Sequence, residues 1–84
     1  MGETILPNQS SNLSIYPNPS NGIFNLESSQ SIQQIEVFDL QGRKVFESKN
    51  QTQINLSALP NNTYLARILL ENGTMETKKL VLLK

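Results

Sequence analysis

The 84-residue chain has no cysteine, no histidine and no tryptophan, and each absence closes off a class of function. Without cysteine no disulfide can widen the thin stability margin of a domain this short, which buries only roughly 60–65% of the surface its unfolded form exposes. The lack of cysteine does not fix a compartment, being compatible with the cytosol and with export that uses no disulfides. Without histidine or thiolate the usual zinc ligand sets are missing, and Ser–His and Cys–His nucleophile arrangements are excluded. Charge of one sign is missing too, since seven Lys and Arg cancel seven Asp and Glu. A duplex-binding face needs several converging cations, and the one local cluster is Lys78, Lys79 and Lys84, so no nucleic-acid partner is expected. No transmembrane segment is expected either, because the longest apolar run, Leu80 to Leu83, falls far short of the ~20 residues a helical span requires. Met1, Gly2 and Glu3 open no secretory h-region, and the segment reads as a piece of a longer protein.

What is present is alternation broken by turn residues, the pattern of short antiparallel strands. Residues 1–12 are polar and read as a linker or an artificial start, with Ile5 and Leu6 against the domain edge; the domain proper is assigned to 13–84. Leu13 and Ile15 alternate until Pro17-Asn18-Pro19, which reads as a rigid break from strand into turn. Ser20-Asn21-Gly22 makes that turn, with Gly22 or Asn21 taking positive φ. Phe24 and Leu26 share one face of the next strand, and residues 27–33 read as a Ser/Gln-rich connection. Ile35 and Val37 point one way, Phe38 and Leu40 the other. Asp39 to Arg43 predicts a tight hairpin with Gly42 in the left-handed position of a G1-type bulge and Asp39 in an Asx-type turn. Val45 and Phe46 lie on the return strand, and a brief strand holds Ile54 and Leu56. Tyr64, Ala66, Ile68 and Leu70 alternate along one inward face. Asn72-Gly73 predicts a type I′ hairpin. The last strand turns from one apolar face to two near Leu80, as in a strand covered on both sides. The fold class expected is all-β, a small immunoglobulin-like antiparallel sandwich of six to eight short strands.

Chemistry is hard to place on this pattern. Glu36, Glu47, Glu71 and Glu76 fall on polar positions of alternating strands and read as solvated faces. No P-loop, EF-hand or dinucleotide-binding motif occurs. The chain is expected to be no enzyme, with no cofactor and no metal. The competing reading is an accessory glycan-binding or adhesion sandwich, but a sugar platform needs exposed rings, and Tyr16 is the one candidate once Tyr64 is assigned to the core. The N-x-Ser/Thr triplets at Asn8, Asn12, Asn55, Asn61 and Asn72 are what an Asn- and Ser-rich chain produces by chance.

Four blocks in register carry a resemblance. Ile15-Tyr16-Pro17-Asn18-Pro19 followed by Asn21-Gly22-Ile23-Phe24 resembles the opening of the type A C-terminal sorting domain of type IX secretion cargo. Ile35 to Val45, with Asp39 and Gly42, is similar to that family's central hairpin. Leu56-Ser57-Ala58-Leu59-Pro60 through Tyr64 to Ile68 resembles its leucine turn and following strand, and Lys78-Lys79-Leu80-Val81-Leu82-Leu83-Lys84 its basic–apolar–basic terminal strand. One position departs: where the family usually has Gly two residues before the strand Tyr, this chain has Asn62, expected to hold a left-handed turn.

The resemblance implies an address rather than a chemistry. Such cargo, from Bacteroidetes, crosses the inner membrane on an N-terminal signal and is read by the type IX machinery at the outer membrane through the C-terminal domain. A sortase-like peptidase then removes the domain, and the cargo is released or attached to surface lipopolysaccharide. The implied partners are that machinery, the peptidase and a parent cargo domain ahead of residue 1. Lys78 to Lys84 is the expected recognition segment, through an open strand edge that pairs with a receptor strand and lysines that steer it.

Overall fold

A computed structural model describes residues 13–84; the linker expected at 1–12, with Ile5 and Leu6, lies outside the described residues. The strands are β1 (Ser14–Tyr16), β2 (Ile23–Glu27), β3 (Ile32–Phe38), β4 (Lys44–Lys49), β5 (Gln53–Asn55), β6 (Asn62–Leu70) and β7 (Met75–Leu82). They form two antiparallel sheets, β1-β2-β5 and β4-β3-β6-β7, and no helix occurs among the described residues. Alternation sets the packing. Phe24, Leu26 and Ile54 from the small sheet meet Ile35, Val37, Tyr64, Ala66, Ile68, Leu70, Leu80 and Leu82 from the large one in a single buried cluster. Because side chains two apart share a face, a slip of one residue in β6 would expel all of its core positions.

Tyr64 contributes more than apolar area. It sits at the start of β6, and its hydroxyl donates a 2.6 Å hydrogen bond to the Pro60 carbonyl. This is the tyrosine corner that marks immunoglobulin-type sandwiches at the turn between sheets.

Several local expectations need correction. The connection read at 27–33 is shorter, because Glu27 still belongs to β2 and β3 begins at Ile32, whose side chain joins the core. Asn72-Gly73 does not form a type I′ turn, since only Gly73 of the pair has positive φ, at 89°. Gly73 N–H bonds the Leu70 carbonyl at 2.9 Å and Leu70 N–H bonds Thr74 at 2.8 Å, which is a longer loop closed by a left-handed glycine. The Asp39 hairpin has the same design, with Gly42 at φ 88° as expected. Asn62 is not left-handed; it lies in β6, and among the described residues the non-glycine residue with positive φ is Asn50 at 55°. Replacing the family's glycine at 62 therefore costs no backbone strain.

The terminal strand differs most. Leu80 and Leu82 are fully buried, but Val81 is half-buried and Leu83 is 57% exposed. The second face stays open because, among the described residues, no third layer lies over that sheet's outer surface.

Candidate functional site

The site begins with an edge. In β7 the even-numbered residues direct their peptide groups to β6, so Lys79, Val81 and Leu83 direct theirs outward. An unpaired row of this kind ordinarily invites another strand. Here it is taken from the Lys79 carbonyl to the Leu83 N–H. The Asn18 side-chain amide donates to the Lys79 carbonyl at 2.8 Å and accepts from Val81 N–H at 2.9 Å. These are the two bonds that a residue of a parallel neighbour would make opposite Leu80. Ser20 continues the ladder with its own main chain: its N–H bonds Val81 at 3.0 Å, and its carbonyl accepts from Leu83 at 2.8 Å. The result is a parallel bridge between Ser20 and Leu82. Ser20 is itself buried, its hydroxyl donating to the Ile23 carbonyl and accepting from Gly22 N–H.

The segment read as a rigid break thus also closes the edge of the terminal strand. After β1 pairs with β2, the chain crosses from the small sheet to the rim of the large one at Pro17-Asn18-Pro19. Sequence spacing gave no sign of this role, because the partners lie 61 and 63 residues away.

Lys84 is likewise occupied. Its ammonium donates to the carbonyls of Ser57 at 3.0 Å and Leu59 at 2.7 Å, while its N–H bonds Asn61 Oδ1 at 3.0 Å. Lys78 and Lys79 point to opposite sides of β7, Lys78 with the core-facing Leu80 and Leu82, Lys79 with the outer face. The three lysines therefore do not form one cationic patch, and the open pairing edge expected along Lys78 to Lys84 is closed from the Lys79 carbonyl to the Leu83 N–H.

On the outer face of the large sheet, Phe38, Leu65 and Lys79 lie in one cross-strand row, and Glu36, Arg67 and Thr77 in the next. Beside them the Asp39 hairpin is held by charge. Asp39 Oδ1 accepts from Gln41 and Arg43 N–H at 2.9 Å each, and Oδ2 from Arg43 Nε at 2.8 Å. The Arg43 backbone bond is the main cause holding the Asp39 carboxyl below its ordinary range. Lys44 bridges Glu47 at 3.1 Å and Glu36 at 3.3 Å, which raises the Lys44 ammonium and lowers the Glu47 carboxyl.

The remaining family-type positions fall into structural roles. Tyr16 is half-exposed and Pro17 and Pro19 are exposed around the Asn18 clamp. Gly22, at φ 150°, is buried, and a Cβ there would stand 2.9 Å from Ser57 Cβ. No group of three or more Asp and Glu suited to a metal occurs among the described residues.

The four sequence blocks all sit in this one sandwich, and a family model described as a secretion system C-terminal sorting domain matches residues 14–83. The chain belongs to that family, the sorting domains of type IX secretion. No curated protein matches it. A type IX sorting domain is an export address carried by a cargo protein, and its family is not an enzyme family. Its destination is the cell surface or beyond. No helix of the described residues is long and apolar enough to cross a membrane.

Proposed function

We propose that this sorting domain delivers its cargo to the type IX machinery as a folded sandwich, with Lys78 to Lys84 read in place on β7 and the two residues after it, and that a sortase-like peptidase then removes it. The observation that carries this reading is the closed edge. Asn18 and Ser20 hold 79–83 as an ordered strand, and Lys84 is fastened to the turn at 57–61, so the recognition segment is presented in one conformation. Recognition of a fixed surface avoids the ordering cost that a loose peptide would incur on binding. Direct strand addition along 79–83 would first have to displace Asn18 and Ser20.

A fluorescent reporter fused ahead of residues 3–84, with a signal peptide, tests the address in a type IX host and in a matched secretion mutant. Reporter outside the parent cell but periplasmic in the mutant supports it, and recovery of the reporter without the domain supports peptidase removal. Retention in both strains would refute the address.

A further inference from the structure

We propose that a depression on the outer face of the large sheet docks an extended acidic segment of a protein partner. An apolar side chain of that segment fills the depression, and a carboxylate meets its cationic rim. This inference rests on the reading of the domain as an address and assigns it a second contact surface, away from the terminal strand's buried leucines.

The depression holds about 290 Å³ and is lined by Phe38, Asp39, Leu40, Gly42, Leu65, Arg67 and Thr77. Leu40 is 61% and Leu65 38% exposed, so neither is there to complete the core. Phe38 holds the Arg67 guanidinium 5.9 Å from its ring centre, a cation–π placement that fixes the charge beside the hollow. Lys79 stands across from Leu65 on the next strand.

The local balance of charge selects the partner. Asp39 is consumed by Arg43 and two backbone amides, and Glu36, although opposite Arg67 in register, is bridged by Lys44. Among the described residues Arg67 and Lys79 have no ion-pair partner; the single Lys44 charge is shared by Glu36 and Glu47 and leaves one negative charge on this face, which the two free cations outnumber. A phosphate group would leave the leucines uncovered, and a lipid surface calls for a cluster of four or more cations. A hollow sized for one or two apolar side chains, flanked by two cations, fits alternating apolar and acidic side chains on an extended backbone.

The test uses the whole 84-residue chain and an end-blocked peptide of alternating Leu and Asp, titrated by amide-resolved NMR against a Leu/Lys peptide of equal length. The expected result is perturbation confined to residues 38–42, 65–67 and 77–79 by the acidic peptide, and roughly tenfold weaker binding with Arg67→Gln or Leu40→Ser. Equal response to both peptides, or shifts elsewhere on the sandwich, would overturn the proposal. Both substitutions lie at exposed positions and should leave the melting temperature nearly unchanged. In the reporter assay the same variants should lose export relative to the parent domain, and normal export of both would also overturn it. Failure of the parent domain to be exported would instead refute the address, while the titration still decides the surface.

Discussion

The Tyr64 hydroxyl reaches back four residues to the Pro60 carbonyl, tying the entrance of the central strand β6 to the turn before it. Tyr64→Phe keeps the ring in the core and removes this bond alone. The expected loss is about 1 kcal/mol, or roughly 4–8 °C in melting temperature for a domain of this size. Thermal unfolding followed by circular dichroism measures it, and an unchanged midpoint would show that the bond contributes nothing net.

Gly22→Ala should cost more. The added Cβ falls 2.9 Å from Ser57 Cβ, on a backbone at φ 150° that side chains rarely adopt. Together these are expected to cost about 1–3 kcal/mol. Ser57→Gly removes the shortest contact but leaves the residue-57 Cα 3.3 Å away and the dihedral strain, so it should recover only part of the loss. A double-mutant cycle in urea separates the two, and complete recovery would mean that φ is irrelevant there.

Asn18→Ala should cost about 1 kcal/mol, because it deletes both halves of the clamp on Lys79 and Val81. Asn18→Asp should be at least as damaging at neutral pH, since a carboxylate can accept from Val81 N–H but is repelled by the Lys79 carbonyl. Hydrogen exchange at the Val81 amide reports the clamp directly. Equal protection in parent and variants would mean the edge is held by Ser20 alone.

Asp39 makes acid sensitivity predictable in sign. Its carboxyl is held low in the folded state, chiefly by the Arg43 backbone N–H. The corresponding stabilisation is fully present above the unfolded value of about 3.9 and is lost as pH falls through the lower native value. Asp39→Asn should therefore be less stable than the parent at neutral pH, and the gap should close in acid. Urea midpoints of the two proteins across that range decide it; a gap independent of pH would remove the charge from the account.

The strands were legible because burial and alternation are the same fact seen at two levels. Tyr64, Ala66, Ile68 and Leu70 could hardly be placed otherwise. Turn type was less so: Asn72-Gly73 favours one geometry in isolation, but the loop spans Leu70 to Thr74 and needs only Gly73 left-handed. The terminal leucines misled for a different reason, since four apolar residues in a row cannot say whether a third layer covers the sheet. Asn18 was invisible as a clamp, because a side-chain amide that imitates a peptide group leaves no periodic trace. The hollow beside Phe38 was equally hidden, depending as it does on a hairpin meeting neighbours that are distant in sequence.

The clamp also dictates when the fold can close. The Asn18 side-chain amide and the Ser20 main chain find their partners in Lys79, Val81 and Leu83, and the core waits for Leu80 and Leu82. A chain interrupted before Leu80 lacks two core leucines and the Val81 and Leu83 partners of the clamp. A closed sandwich therefore reports that the segment through Leu83 has been made and is in place.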